Sequence, residues 1–155
     1  MKRLLFISAI LILALSLSES GEAKVHDFGR FTIDVPEGWT AAQNNTTSTV
    51  TRNDNMAQIT ITLSDAEGKS INEITAMLVK AYQDNGFTDI TEPVPDKESE
   101  GYYTFSAVNP YGAACIEYVK VVDDEARMIS IVIAQGHEED SAGVIQKMLD
   151  TVKMK

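Results

Sequence analysis

Apolar and polar residues alternate with a period of two along most of this chain, the spacing of half-buried strands. Phe31, Ile33 and Val35 alternate with Thr32 and Asp34, and Ile59, Ile61 and Leu63 with Thr60 and Thr62. Tyr103, Phe105 and Ala107 alternate with Thr104 and Ser106, and Ile129, Ile131 and Ile133 with Ser130 and Val132. Turn-forming residues separate these runs at Gly29-Arg30, Asn53-Asp54-Asn55, Asn109-Pro110-Tyr111-Gly112 and Asp123-Asp124-Glu125. Each connection is short enough for a hairpin, so antiparallel pairing dominates.

Two segments leave that period. Ser70 and Glu73 form a capping box, and Ile71, Ile74, Leu78, Ala81 and Tyr82 then fall on one helical face, with Gly86 as the stop. The second segment opens on Glu138-Glu139-Asp140 and places Ala142, Ile145, Met148, Leu149 and Val152 on one stripe. The predicted order is four strands, a helix, a short strand near Asp89–Glu92, three strands and a helix. Thr91 to Gly101, with Pro93 and Pro95 among charges, reads as a loop within one domain. The fold class is α+β: a mainly antiparallel β-sheet flanked by two principal helices.

The first residues read as an address. Lys2 and Arg3 precede an uncharged apolar run from Leu4 to Leu17, and Gly21-Glu22-Ala23 supplies an A-x-A-like ending. That is the layout of a secretory signal peptide over residues 1–23, and the run is short for a membrane span. A single domain then covers residues 24–155, exported to the periplasm or secreted, with no stable membrane anchor after cleavage. The formal net charge is −10, and the two bases and two acids of the signal cancel, so the domain keeps all of it. Such an acidic surface repels phosphate backbones, which argues against a nucleic-acid partner. Cys115 is the only cysteine, so no intrachain disulfide forms.

Phe31-Thr32-Ile33-Asp34-Val35-Pro36-Glu37-Gly38-Trp39 is a strand running into a Pro-x-Gly-Trp corner. Proline fixes φ and ends the ladder, glycine permits the turn, and tryptophan folds back as a large apolar plug. This segment resembles the opening strand of the Mog–PsbP superfamily, which includes the photosystem extrinsic protein PsbP and small bacterial envelope proteins of the DcrB kind. The element order is similar as well. The resemblance implies a PsbP-like α/β/α sandwich, no shared catalytic residues, and a non-catalytic accessory or binding role toward a protein or small-molecule partner. Phe31, Ile33, Val35, Pro36, Gly38 and Trp39 carry over as structural positions, with Trp39 expected to be largely buried against the sheet edge near Phe31.

The residues that could carry chemistry are few. His137-Glu138-Glu139-Asp140 has serine, not a second histidine, four places after His137, so the H-E-x-x-H zinc motif fails. It reads as a helix start. His26 is the other histidine, and a metal joining the two requires the fold to bring them together. Cys115 reads as a buried inert thiol, because a nucleophile needs a histidine close by. The runs Asn53-Asp54-Asn55, Asp65 with Glu67, and Asp123-Asp124-Glu125 lack the calcium-loop spacing and read as turn chemistry. No G-x-S-x-G or phosphate-loop motif occurs. Asn44-Asn45-Thr46-Thr47 holds two N-x-[ST] sequons. No catalytic residue, metal ligand or cofactor is therefore expected.

Tyr102, Tyr103, Tyr111 and Tyr118 cluster around two strands. Tyr111, Tyr102 and Tyr118 are the candidate binding residues, as an aromatic groove between helix and sheet. Tyr111, on a proline-stiffened tip, is expected to be exposed. The function read from the sequence is an exported, non-catalytic accessory or binding protein. The alternatives are a calcium- or zinc-binding module and a hydrolase of unrecognised type.

Overall fold

The structure, a computed structural model, describes residues 22–155. The segment read as a signal peptide thus lies outside the described residues, except for its last two. Ten strands and two helices follow in order: β1 (Lys24–Asp27), β2 (Phe31–Val35), β3 (Trp39–Asn44), β4 (Thr47–Arg52), β5 (Ala57–Asp65), α1 (Ile71–Asp84), β6 (Val94–Pro95), β7 (Tyr103–Val108), β8 (Ala114–Val122), β9 (Glu125–Ile133), α2 (Glu138–Asp150) and β10 (Lys153–Met154). Seven strands form one sheet in the order β3-β4-β5-β9-β8-β7-β6, and a small sheet has the order β1-β2-β10. Every pairing between strands is antiparallel; short turns dictate this for the hairpins such as β3–β4 and β8–β9, while β5–β9 and β2–β10 pair across long stretches of chain.

The large sheet is covered on both faces, because its alternation supplies two sets of apolar side chains. Ile59, Ile61, Leu63, Ile131 and Ile133 point to one face, where they meet Phe31, Ile33 and Val35 of β2 and Ile145 and Met148 of α2. Val119 and Ala126 point to the other and pack with Ile74 of α1, flanked by Ile71, Leu78, Val121 and Met128. The result is an α+β sandwich with a helix on each side of the sheet.

α1 begins where the capping box places it. Ser70 Oγ accepts from the Glu73 N–H, and Glu73 accepts from the Ser70 N–H at 2.8 Å. Replacing Ser70 by alanine is expected to cost about 1 kcal/mol in urea unfolding. α2 lacks a side-chain cap at His137; instead Glu138 reaches back to accept from the Gly136 N–H at 2.8 Å.

Two expectations are corrected. Five strands precede α1, not four, because Trp39 to Arg52 folds into its own hairpin around Asn45, which takes a left-handed φ of 52°. No strand forms at Asp89–Glu92: Thr88 makes an isolated bridge to Val108, and pairing resumes only at Val94–Pro95. Pro93 between them has no N–H to give a ladder. Trp39 has most of its surface buried, as expected, packed at the rim of the core that contains Phe31.

Candidate functional site

Register places several loops at one end of the large sheet. Val108 and Ala114 pair at that end, as do Ala114 and Ile133, Ala57 and Ile133, and Trp39 and Arg52. The β7–β8 tip with Tyr111, the β4–β5 turn Asn53–Met56, the start of β3 and the entry to α2 therefore share one rim.

Toward the β3 edge of the rim stands Arg52, at the end of β4, whose side chain is only 18% exposed. Its Nε and Nη2 donate to both oxygens of Asp54 at 2.6–2.9 Å, and Nη1 donates to Ser141 Oγ at 2.8 Å and lies 3.0 Å from Asp140 Oδ1. His137 Nδ1 lies 3.2 Å from Nη2 and 3.4 Å from Asp140 Oδ2. Hydrogen bonds from Arg52, then from the Met56 N–H, hold the Asp54 carboxyl below its ordinary range. For Asp140, desolvation works upward, but the bonds from Arg52, His137 and Ser141 outweigh it and leave the carboxyl lowered. The guanidinium thus ties the β4–β5 turn to the first turn of α2. Beside it, Gly38, Trp39, Arg52, Asn53, Asp54 and Asp140 line an open depression of about 410 Å³.

This cluster is not arranged for nucleophilic hydrolysis. Ser141 is fully buried, its Oγ donates to Asp140 Oδ1 at 3.2 Å, and His137 faces Asp140 and Arg52 rather than the serine. A serine nucleophile needs access to substrate and a base on its hydroxyl.

Tyr111 occupies the same rim, three strand spacings from Arg52, roughly 15 Å. It is 95% exposed. Asn109 Oδ1 accepts from the N–H of both Tyr111 and Ala113 at 2.9 Å, Gly112 takes a φ of 83°, and Pro110 rests near Gly86. Tyr111→Ala is accordingly expected to leave the melting temperature within a degree or so of the parent in differential scanning calorimetry, since surface changes of this kind stay within about 0.5 kcal/mol.

The structure does not bring the other two candidate tyrosines to Tyr111. Tyr102 lies at the opposite end of β7, its ring 5.3 Å from the Lys120 ammonium, which also donates to the Glu100 carbonyl at 2.8 Å. Tyr118 sits mid-strand on the α2 side of the sheet, half-buried against the core, where burial pushes its hydroxyl upward. An aromatic groove joining the three does not form: the register sets Tyr102 and Tyr118 on one face as diagonal neighbours across β7 and β8, and Tyr111 stands apart at the hairpin tip.

The remaining candidates separate too. His26 is on β1 with its ring 6.3 Å from Phe28, while His137 contacts Arg52 and Asp140. Among the described residues no three His, Cys, Asp or Glu side chains are grouped to hold a metal ion. Cys115 is buried, and desolvation, with Glu117 nearby, pushes its thiol up to about 11. A thiol so raised is almost wholly protonated near neutral pH and is a poor nucleophile.

One group the sequence reading passed over is Glu117. It is 4% exposed at the middle of β8, on the α1 side, between Cys115 and Val119. Its Oε1 accepts from Tyr82 Oη and from Ser130 Oγ at 2.5 Å. Desolvation raises this carboxyl, and the two hydroxyl donors offset only part of that. The signal was present in the alternation, which sets Glu117 on the same face as its buried neighbours.

The fold of the chain is PsbP-like. It is similar to the solution structure of cyanobacterial PsbP (CyanoP) from Synechocystis sp. PCC 6803, with 10% identity, 92% of this chain and 99% of that chain covered, and a TM-score of 0.61. A crystal structure from Bacteroides thetaiotaomicron VPI-5482 at 1.50 Å aligns at 11% identity over 88% of this chain and 49% of that one, with a TM-score of 0.45. No family model and no curated protein matches the sequence. At these identities the likeness is one of fold.

Proposed function

We propose that this is an exported, non-catalytic accessory or binding protein whose binding surface is the sheet rim carrying Tyr111 and Trp39. The observation that carries this reading is Tyr111: a large aromatic, almost wholly exposed, on a tip already ordered by Pro110 and by the Asn109 side chain. Aromatics concentrate binding energy at interfaces, and a tip ordered beforehand loses little conformational entropy on binding. Trp39 adds a second, partly exposed ring on the same rim. The buried Ser141 and the raised Cys115 thiol weigh against a hydrolase, and the signal-like segment before residue 24 favours export.

Two experiments test the two parts. Export predicts that the protein recovered from outside the cytoplasm begins near Lys24 by mass spectrometry; intact chain confined to the cytoplasm would contradict it. For the surface, a photo-cross-linking amino acid replaces Tyr111 in one strain and Met77, exposed on α1, in another. Position 111 is expected to give a discrete adduct that position 77 does not. No adduct at 111, or the same adduct from both, counts against the rim.

A further inference from the structure

The two edges of the large sheet are built differently. β6 is two residues long and contains Pro95, a short and interrupted edge that resists pairing with another chain. β3 is six residues long, Trp39–Asn44, with no proline and no charged side chain. No charge occurs anywhere from Gly38 to Thr51, in a chain whose formal net charge is −10. Such a long uncharged edge is left open by the usual rules of protection.

The ladder shows which groups face outward. The Asn53 N–H donates to the Gly38 carbonyl at 2.8 Å, which makes Gly38 and Asn53 a hydrogen-bonded pair. Antiparallel alternation then turns the N–H and C=O of Ala41 and Gln43 away from β4, toward the open edge. We propose that β3 pairs antiparallel with β3 of a second copy, about a two-fold axis through Ala42, joining the two large sheets into one. In that register Ala42 faces Ala42 of the second copy, Ala41 faces Gln43, and Thr40 faces Asn44. Both outward residues of each copy then exchange N–H···O bonds, and no charged side chain lies across the seam, with only small or uncharged polar residues between Thr40 and Asn44. Two surfaces carrying −10 each repel everywhere else, so the uncharged edge is where copies approach at least cost. The self-complementary pattern favours a second copy over a foreign strand.

Analytical ultracentrifugation of the purified protein tests this. The parent is expected to sediment as a dimer whose fraction falls on dilution. Ala42 is exposed, so Ala42→Lys and Ala42→Glu leave the fold and melting temperature intact. Each sets like charges face to face at the axis and weakens the dimer at least tenfold, while an equimolar mixture of the two restores it. Net charge alone predicts the opposite for the lysine variant, which is less acidic than the parent. A monomeric parent at all concentrations, a dimer unaffected in both variants, or a mixture that stays monomeric would overturn the proposal. Tyr111→Ala leaves the sedimenting mass unchanged, so this test stands apart from that of the rim.

Discussion

Truncating Ile33 to alanine is expected to lower the unfolding free energy by about 3–4 kcal/mol in urea titrations. Ile33 is the centre of β2, with no exposed surface, and its neighbours Phe31 and Val35 face the same way. They meet the isoleucines of β5 and β9 and the apolar stripe of α2 in one cluster. The small sheet is therefore an integral part of the main core, and the cavity left by three missing carbons has no loose segment to collapse into. Val25→Ala on β1, where the side chain is 68% exposed, is expected to change stability by less than about 0.5 kcal/mol. Were the small sheet an appendage, the two substitutions would behave alike.

Replacing Glu117 by glutamine is expected to stabilise the protein above neutral pH by about 1–2 kcal/mol, because a buried carboxylate without a cation is costly. Burial holds this carboxyl above its ordinary 4.5. A group raised on folding keeps its full contribution to stability below its unfolded value and loses it as the pH climbs through the folded one. The parent should therefore weaken on going from acid toward neutral pH relative to Glu117→Gln, and the two should converge near pH 4. Glutamine retains an acceptor oxygen for Tyr82 and Ser130. Glu117→Ala leaves both hydroxyls without that partner beneath α1 and is expected to destabilise at every pH, by about 2 kcal/mol. Chemical denaturation from pH 4 to 8 reads all three; parallel profiles for parent and glutamine variant would mean that Glu117 is solvated.

Most of the fold was legible because its strands alternate cleanly. β2, β5, β7 and β9 each set an apolar face against a polar one, and the Ser70–Glu73 box and the Ile145–Met148 stripe marked the helices. β3 escaped notice because Thr40-Ala41-Ala42-Gln43 has almost no apolar contrast: an edge strand with one solvated side needs little. β6 and β10 are two residues each, shorter than any period. The candidate site was less legible, for a geometric reason. Tyr102, Tyr111 and Tyr118 are neighbours in sequence, yet the β7–β8 hairpin carries Tyr111 to its tip, away from Tyr102 and Tyr118, which stay together farther down the strands. Arg52, Asp54, His137, Asp140 and Ser141 are the reverse case, drawn together from opposite halves of the chain by the β5–β9 pairing, with no local motif to mark them.

The rim is tested most directly by competition. The partner captured through position 111 is offered the parent protein or Tyr111→Ala, two proteins of equal melting temperature, as competitors for the cross-link. The Tyr111 variant is expected to need at least tenfold higher concentration to suppress the adduct, the loss ordinarily seen when an anchoring aromatic is truncated. Equal suppression by the two would show that Tyr111 lies beside the contact without making it, and would move the binding surface away from this end of the sheet.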